Sequence, residues 1–480
     1  MNIIHGLFWW LIGCLSFLIL TQLNNHYGSD SRIVGQLSCL IPGISRYFSI
    51  CSERSSRHPQ HNELSTIPEG LYLFQNDAND VTLYFSPFKI FPEFKEDQIE
   101  NKAFSLAADS VEALMALHGA LEMKHSGKYE KAMRLLKHAL ALSPSHPDIL
   151  NFYGEILEEA KSNYVEADFH YKRALSFSPD HTRALENRKR TLPLVEELDE
   201  RLLYRIETKR DEILKASGNR GSLNRIKKEV YFQHIYHTVG IEGNTMTLAQ
   251  TRMIIETRMA VGGKSLMEHN EILGMDEALR YINSTLLHKV GDISENDILQ
   301  LHNRVLGFVD PTEGGTYRHT QVFVGDHIPP PPNEIKYLMS EFISWLNSVD
   351  TVDLHPVKYA ALAHYKLVYI HPFTDGNGRT SRLIMNLILM RAGYPPVIIK
   401  KEDRLKYYET LKAANEGDVR PFIRFIARSA EKTLDIYLWA IGNKSVPVPE
   451  LGSDTTLKDS IIQMQGERMP TCVMSSCERN

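Results

Sequence analysis

The chain has 480 residues, of which 43% are hydrophobic and 24% are charged, and its formal net charge at pH 7 is -5. A chain of this length accommodates about three domains. Because it is weakly acidic and contains no basic run, nucleic acid is disfavoured as a substrate. The long middle of the chain has no cysteine, so it must fold through burial of apolar side chains and not through disulfides. The five cysteines lie near the two ends, at Cys14, Cys39, Cys51, Cys472 and Cys477.

An apolar stretch near the N-terminus, residues 3–20, contains no acidic or basic side chain. Its length is close to the minimum of about 17 to 20 residues that spans a bilayer. A cleaved signal peptide is the alternative, but a basic leading segment and a small-x-small cleavage site are not evident. We therefore predict an uncleaved signal anchor over residues 1–22, with the bulk of the chain translocated. Two N-glycosylation acceptor sequences, at Asn283 and Asn443, agree with a lumenal location.

Two further regions are predicted to lack a packed core. Residues 23–105 carry irregular clusters of Ser, Arg, His and Pro, which are typical of a stalk or variable region. Residues 441–480 have few apolar positions, which favours a disordered tail. The globular part of the chain is therefore expected between these two regions.

A pattern of small and bulky residues occurs twice within residues 106–188, thirty-five residues apart. Small residues at helix crossings, bulky residues between them and a proline after the second helix match the tetratricopeptide pattern, whose period is about 34. Such repeats form concave peptide-binding surfaces, but two of them also suffice as a spacer, and the sequence leaves both roles open. The recurring positions are Gly119, Tyr129, Ala132, Leu136, Ala139 and Pro144, repeated as Gly154, Tyr164, Ala167, Tyr171, Ala174 and Pro179.

Residues 189–218 are predicted to form a charged linker helix that leads into the remaining globular part, residues 219–440. In that part the segment Thr316–Val324 is rich in β-branched and aromatic residues and is flanked by glycines. Such a composition predicts a hairpin or a pair of short strands.

Two predicted helices surround a short glycine-rich loop. Val357–Tyr369 is rich in good helix formers, with apolar residues at helical spacing. After the loop, the apolar stripe within Leu383–Met390 predicts a second helix, which Gly393 ends. The arrangement is therefore helix, tight loop, helix, with Asp375–Gly378 opening the second helix.

This loop predicts an anion site. The N-terminus of a helix carries unpaired backbone N–H groups and the positive end of the helix dipole, both of which attract phosphate oxygens. Gly376 and Gly378 lack the Cβ atoms that would block a close approach. Arg379 and Arg382 lie three residues apart and share a helix face, where their guanidiniums can bind phosphate bidentately. Two cations in a first helical turn oppose the dipole, and a bound anion would resolve this conflict.

Two further side chains supply chemistry beside this anion site. Asp375 offers a hard oxygen to Mg²⁺ that travels with a nucleotide. His371 ends the preceding helix, and its ordinary pKa of about 6.5 suits a general base. Each residue alone has a simpler interpretation, as a packed histidine, a turn residue or a solvent-exposed arginine. Together they favour nucleotide-phosphate binding and attack by a hydroxyl group.

The segment His371–Arg382 resembles the Fic motif, HxFx[D/E]GNGRxxR, at every fixed position. This motif is long and specific. Fic enzymes typically transfer AMP from ATP to a protein hydroxyl, so the resemblance implies ATP, with Mg²⁺ or Mn²⁺, as cofactors. Transfer of this kind depends mainly on positioning and charge neutralisation, which these groups supply. The implied roles are His371 as catalytic base, Asp375 as metal ligand, Gly376, Asn377 and Gly378 as anion hole, and Arg379 and Arg382 as phosphate ligands.

Residues outside the motif match the same family. Thr238–Asn244 resembles the inhibitory signature, [S/T]xxxE[G/N], although such a short signature often matches by chance. In the family its Glu, here Glu242, pairs with the second motif arginine, here Arg382, and displaces the ATP γ-phosphate. Related sequences usually have Ala where Gly240 stands, so the helix carrying Glu242 is expected to be less stable by up to about 1 kcal/mol. Residues expected on the adenine side or on a target-binding flap are Tyr407, Tyr408, Asn415, Val322 and Val324.

The order of these parts resembles the animal endoplasmic-reticulum Fic adenylyltransferases, the FICD/HYPE group. The resemblance implies a mainly α chain, with an all-helical Fic domain over residues 219–440 and a small β-hairpin flap. It also implies a single-pass type II protein of the ER membrane and a homodimer with Leu266 at its interface. The implied substrate is a lumenal Hsp70 chaperone (BiP-like). The same site would remove AMP, with Glu242 orienting water and His371 protonating the leaving hydroxyl.

Two other functions stay open at this stage. One is transfer of a different phosphate-containing group, although such relatives often depart from the terminal motif arginine and Arg382 is present. The other is a membrane-tethered tetratricopeptide adaptor with a silent Fic domain, which the intact His371 and Asp375 disfavour. The sequence does not fix the target residue or the resting balance between AMP transfer and removal.

Overall fold

The computed structural model describes residues 99–216 and 220–442. Within these ranges, no helix combines the length and the hydropathy that a membrane crossing requires. The predicted anchor, most of the predicted stalk, Asn443 and the predicted tail beyond residue 442 lie outside the described residues.

Five helices form the N-terminal part of the described structure, and each packs against the next one in the chain. The first begins inside the region that the sequence predicts to be a stalk, and the fifth contains residues 189–215 of the predicted linker. The assignment of the first four to tetratricopeptide repeats stays a prediction. The helices are α1 (Ile99–His125), α2 (Tyr129–Leu142), α3 (Pro147–Lys161), α4 (Tyr164–Phe177) and α5 (Thr182–Lys215).

Small residues let these helices approach each other closely. Ala132 and Ala167 are fully buried in a core that they share with Leu136. A Cβ atom at Gly154 would lie 2.6 Å from a ring carbon of Tyr171, so the contact between α3 and α4 has no room for a side chain there. The small positions of the recurring sequence pattern are therefore packing positions.

The remaining helices share one large apolar core. At its centre, α11 and α12 pack against each other, and most side chains of both are buried. Short 3₁₀ turns occur at Pro332–Glu334, Val349–Thr351 and Lys401–Asp403, and a π-helical turn at Ile282–Leu286. The helices are α6 (Arg220–Ile241), α7 (Leu248–Thr257), α8 (Leu266–Tyr281), α9 (Glu295–Leu306), α10 (Ile335–Leu346), α11 (Pro356–Ile370), α12 (Asn377–Arg391), α13 (Arg404–Asn415) and α14 (Arg420–Ala440).

The predicted strand pair at Thr316–Val324 is wrong. No strand occurs in the described residues, and this region contributes a single antiparallel bridge, between Val324 and His327. The chain returns through four consecutive prolines, residues 329–332. Because proline has no N–H group, this limb cannot donate hydrogen bonds to a partner strand.

Side-chain hydrogen bonds replace the missing strand pairing. We call the extended segment of residues 314–330, which occupies the place of the predicted flap, the strap. The buried guanidinium of Arg318 donates to the carbonyl oxygens of Thr320 (2.9 Å) and Pro330 (2.6 Å), so it joins the outgoing and returning limbs. Gln321 donates in the same way to the carbonyl oxygen of Pro329. The strap is therefore held by its own side chains and not by a sheet.

Ion pairs connect the N-terminal helices to the last helix. Asp168, which is buried on α4, lies 2.9 Å from the guanidinium of Arg420 at the start of α14. One turn further along α4, the ammonium group of Lys172 lies 3.2 Å from the carboxylate of Asp418. Removal of water from such charges is costly, so each depends on its partner.

Substitution of Asp168 by Asn is expected to destabilise the protein by about 2 kcal/mol, because it removes one of the two carboxylates beside the buried guanidinium of Arg420. The other carboxylate, Asp418, still accepts from Nε (2.8 Å) and Nη2 (2.9 Å) of Arg420. Thermal unfolding of the full chain measures the effect. The control is Glu197→Gln, which removes an exposed ion pair with Arg201 on α5 and should change the unfolding temperature little. Equal effects of the two substitutions would contradict the proposed dependence of Arg420 on Asp168.

Candidate active site

The predicted helix, loop and helix are confirmed. α11 ends at Ile370, and His371 follows it as a C-cap in the left-handed conformation (φ 50°). α12 begins at Asn377, and Gly376 before it is also left-handed (φ 77°), which glycine adopts without strain. The two turns bring the side chain at the end of one helix next to the N-terminus of the other.

His371 is held as a neutral base. Its Nδ1 atom lies 3.2 Å from the carbonyl oxygen of Val368, which only accepts, so Nδ1 carries the hydrogen and Nε2 keeps its lone pair. Burial lowers the pKa of His371 to about 4, and the nearby Arg318 guanidinium acts in the same direction. The imidazole is therefore uncharged near neutrality, which is the state that a general base requires.

The two motif arginines are buried at the start of α12. Arg379 and Arg382 are only 2% and 1% exposed. Nε and Nη1 of Arg379 and Nε of Arg382 are buried without a hydrogen-bond partner. Unpaired buried donors are costly, and phosphate oxygens would satisfy them. The donor set therefore fits an anionic ligand.

Asn377 supports the loop with its side chain. Its Oδ1 accepts from the backbone N–H of Phe373 (3.0 Å), and its Nδ2 donates to the Phe373 carbonyl oxygen (2.8 Å). The group that Asn377 can offer to an anion is therefore its backbone N–H in the first turn of α12, where no intrahelical acceptor exists.

Asp375 presents a carboxylate at the mouth of the loop, with its side chain 57% exposed. One oxygen accepts from the N–H of Gly376 (2.6 Å) and the other from Arg379 (2.7 Å). Although burial opposes it, these contacts hold the pKa of Asp375 below its usual value. No group of three or more His, Cys, Asp or Glu side chains that could hold a metal occurs in the described residues. A Mg²⁺ ion on Asp375 would complete its shell with phosphate oxygens and water.

Glu242 reaches this site from the end of α6. Its carboxylate accepts a hydrogen bond of 2.5 Å from Nη2 of Arg382. A Cβ atom at Gly378 would lie 2.5 Å from the same carboxylate oxygen, so the carboxylate fits against the start of α12 only because residue 378 is a glycine. Glu242 thus stands where an anionic ligand is expected.

The predicted nucleotide and target residues lie in different environments. Tyr407 is buried, and its hydroxyl accepts from Arg382 (3.3 Å) and contacts Nε2 of His364 (3.0 Å), so it supports the arginine directly. Tyr408 is partly exposed, and Asn415 is exposed at the end of α13. On the strap, Val322 is half-buried and Val324 is exposed. Leu266 begins α8 and is 67% exposed, and Asn283 is exposed in the π-helical turn.

Three residues at the site carry no signal in the sequence. The Arg318 guanidinium donates from Nε to the carbonyl oxygen of His371 (2.7 Å). Glu271 lies 3.8 Å from Arg379, and burial raises its pKa. His302 contacts the loop carbonyl next to Gly376. Each is an isolated residue far from the motif in the chain, and only folding brings it to the site.

Comparisons with known proteins agree with this geometry. The Fic/DOC family matches residues 292–389. A Protein adenylyltransferase Fic from Aedes aegypti is 59% identical over 344 residues, which cover 72% of this chain and 69% of that protein. The Drosophila melanogaster protein of the same name is 53% identical over 410 residues, 84% of this chain and 83% of that protein. The solved structure of Fic-1 from C. elegans (residues 134–508) matches with TM-score 0.64 and 45% identity, over 68% of this chain and 98% of that one.

Two buried histidines on α6 accept hydrogen bonds that depend on their being neutral. His234 Nε2 accepts from Nδ2 of Asn386 (3.1 Å), and His237 Nδ1 accepts from the backbone N–H of Lys401 (3.2 Å). Burial lowers the pKa of each imidazole to about 3. Protonation would place a buried charge there and remove both acceptors.

We expect the free energy of unfolding to contain the full contribution of these neutral histidines above pH 6.5. This contribution should decrease as the pH falls from 6.5 towards 3. In this range these two histidines bind protons in the unfolded chain but not in the folded chain. At pH 5 each histidine therefore lowers the free energy of unfolding by at most about 2 kcal/mol relative to its value above pH 6.5. Thermal unfolding between pH 7.5 and pH 5 measures the loss. The variant with His234→Gln and His237→Gln should lose less stability with acid, and a slope equal to that of the unmodified chain would contradict the assignment.

Proposed function

Because this chain belongs to the Fic/DOC family and is a protein adenylyltransferase with ATP as AMP donor, we propose that Glu242 switches it between two opposite reactions. In one, AMP passes from ATP to a Ser or Thr hydroxyl of a lumenal Hsp70 chaperone (BiP-like). In the other, the same site removes that AMP. The observation that supports the switch is the hydrogen bond between Glu242 and Arg382 at the N-terminus of α12.

During AMP transfer, Nε2 of His371 takes the proton of the target hydroxyl. The hydroxyl oxygen forms a bond to the α-phosphorus, and the bond between that phosphorus and pyrophosphate breaks. The unpaired guanidinium nitrogens of Arg379 and Arg382 bind the phosphate oxygens, with the N–H groups at the start of α12. These positioned charges stabilise the transition state more than the ground state.

The residues fit a nucleotide that carries a divalent cation. Asp375 would hold Mg²⁺ or Mn²⁺, which neutralises phosphate charge when bound. The exposed carboxylate already lies beside Arg379, so one side chain orients both the cation and an arginine. Arg379 in turn keeps Asp375 ionised, which a hard cation requires.

Inhibition follows from competition for one guanidinium. Arg382 donates to Glu242, and its other contacts are the Thr238 carbonyl oxygen (3.1 Å) and the Tyr407 hydroxyl. These contacts fix the guanidinium, so Glu242 and the γ-phosphate cannot both occupy its outer edge. The state with Glu242 in place is the inhibited state for AMP transfer.

Homodimerisation through Leu266 offers a way to control this state. The loop after Glu242 is attached to α8, which begins with the exposed Leu266. The Glu268 carboxylate on α8 accepts from both the N–H and the hydroxyl of Thr245 (2.7 Å each). Asn244 donates to Glu271 on the same helix. A partner subunit that holds α8 would therefore also hold the end of α6.

Removal of AMP uses the same groups in reverse. Glu242 orients a water molecule and takes its proton, the water oxygen forms a bond to phosphorus, and the bond from phosphorus to the protein oxygen breaks. His371, which carries a proton on Nε2 for this step, gives that proton to the leaving oxygen. Return of the water's proton from Glu242 to His371 through solvent restores both groups. The Glu242 carboxylate is suited to this role because its second oxygen is not engaged by Arg382.

The lumenal location of this activity is part of the proposal. It rests on the apolar stretch at residues 3–20 and on the acceptor sequence at Asn283, which lies exposed on the described surface. A type II anchor would place residues 219–440 in the lumen of the endoplasmic reticulum, where a BiP-like chaperone would be available. The predicted repeats would act there as a docking surface or as a spacer.

Substitution of Glu242 by Gly is expected to raise the rate of AMP transfer by about 10- to 100-fold. The phosphate no longer has to displace the Glu242 carboxylate from Arg382, whose charge-assisted hydrogen bond contributes about 1.5 to 3 kcal/mol. The test incubates the full chain with a lumenal Hsp70 and ATP labelled at the α- or the γ-phosphate. Adding His371→Ala to the Glu242→Gly variant should lower the rate of AMP transfer by a factor of about 10² to 10⁴.

Only ATP labelled at the α-phosphate should transfer its label to the protein substrate. Transfer of the γ-label would instead support the alternative phosphate-group transferase, and absence of transfer from either form would support a silent domain. Unmodified chain should clear AMP from pre-modified Hsp70, whereas the Glu242→Gly variant should not. Equal clearance by both would contradict the water-orienting role of Glu242.

Substitution of Gly240 by Ala is expected to lower AMP transfer about fivefold, because Ala stabilises the last turn of α6 by about 1 kcal/mol and so favours the inhibited state. The new Cβ atom would lie 2.9 Å from Cδ of Lys401, a flexible side chain that can move. Gly221→Ala is the matched control, since it lies in the first turns of the same helix with nothing within 4 Å of its Cβ position. Faster transfer by Gly240→Ala would show that the Lys401 contact dominates.

A further inference from the structure

His302 lies beneath the active-site loop and has no role in the chemistry described above. It is fully buried on α9, and its ring stacks on that of Phe373 with centroids 3.6 Å apart and an angle of 6° between planes. A buried histidine is often only a packing residue. Two hydrogen bonds at opposite ring nitrogens distinguish His302 from that case.

The two partners fix one tautomer. The backbone N–H of Gly315 donates to Nδ1 (2.9 Å), so Nδ1 must carry a lone pair. Nε2 lies 2.9 Å from the carbonyl oxygen of Asp375, which can only accept, so Nε2 must carry the hydrogen. A neutral ring with its hydrogen on Nε2 satisfies both partners at once.

The first partner belongs to the strap. Gly315 lies at its beginning, three residues before Arg318, whose backbone N–H donates to the Pro372 carbonyl oxygen (3.0 Å). The Nε donor of Arg318 also reaches the carbonyl oxygen of His371. The position of Gly315 therefore sets where the strap leaves the loop that carries the catalytic base.

The second partner belongs to the nucleotide turn. The Asp375 carbonyl precedes Gly376, whose left-handed conformation opens α12. A Cβ atom at Gly376 would lie 3.2 Å from Nε2 of His302, so the ring is in close contact with this turn. The ring thus limits the orientation of the peptide that carries the Asp375 carboxylate and the first N–H groups of α12.

We propose that His302 is a positioning residue that sets the distance between the strap and the nucleotide turn through its two hydrogen bonds. A target segment held by the strap would then meet the bound nucleotide in a fixed register. The inference rests on the proposed function and on the expectation that the strap, which occupies the place of the predicted flap, binds the target. The proposed hydrogen bond between His302 and the nucleotide turn does not depend on which protein is the target.

Two isosteric substitutions separate the two hydrogen bonds. In His302→Asn, the amide oxygen takes the place of Nδ1 and can still accept from Gly315, but the reach to Asp375 is lost. In His302→Gln, the amide nitrogen takes the place of Nε2 and can still donate to Asp375, but the acceptor for Gly315 is lost. Both are made in the full chain carrying Glu242→Gly, so that nucleotide binding is not inhibited.

We expect the two variants to change different parameters. His302→Asn should weaken binding of ADP with Mg²⁺ about tenfold by calorimetry while leaving the KM for the protein target within about twofold. His302→Gln should raise that KM about tenfold while leaving ADP affinity within about twofold. In the parent chain, ¹⁵N spectra of the His302 ring should show the tautomer with hydrogen on Nε2.

The control is Ile298→Val on α9, which trims a fully buried core residue of the same helix and lowers stability without altering either hydrogen bond. If both His302 variants changed ADP affinity and target KM in parallel, as a stability loss would, His302 would be a packing residue only. Observation of the Nδ1–H tautomer would also overturn the inference. Loss of AMP transfer in the Glu242→Gly parent would contradict the proposed function, but the calorimetric comparison would still test the nucleotide-turn bond.

Discussion

Two buried guanidinium groups near the N-terminus of α12, Arg379 in its first turn and Arg382 in its second, constrain the rest of the site. Arg379 and Arg382 lie where the helix dipole disfavours cations, and burial removes the water that would otherwise solvate them. The fold must therefore supply anions there. Asp375 provides one from the preceding loop, and Glu242 provides another from a helix 140 residues earlier in the chain. Each carboxylate is also a group that a bound nucleotide would engage or displace.

The uncharged hydrogen-bond partners of Arg382 explain why replacement of the Glu242 carboxylate by a phosphate need not disturb the fold. The Thr238 carbonyl oxygen accepts from Nη2, the nitrogen that also bonds to Glu242, and the Tyr407 hydroxyl accepts from Nη1. The Tyr407 hydroxyl accepts from Arg382 and so donates to Nε2 of His364. The arginine is thus preorganised whichever anion it meets, and preorganised charges contribute most to transition-state stabilisation.

Local sequence predicts the parts of this site that depend on local physics. Helical periodicity and glycine at a left-handed position are enough to place the loop between α11 and α12. The strap shows where such reasoning fails, because β-branched composition indicates strands but four prolines remove the donors of the returning limb. His302 and Arg318 could not be predicted, since their partners lie 73 and 53 residues away and their side chains bond to backbone atoms, which any sequence provides. The contact between Glu242 and Arg382 was expected only through family resemblance.

The position of the last turn of α6 is the variable that matters most for the balance of the two proposed reactions. Its helix ends at Ile241, one residue before Glu242, and Gly240 weakens that turn. The following residues compensate, because Thr245 and Asn244 are bonded to α8. The carboxylate is therefore fixed less by its own helix than by a neighbouring helix with an exposed leucine at its start. A change in the packing of α8 would reach Arg382 through these few hydrogen bonds, without any change in the residues that carry out the chemistry.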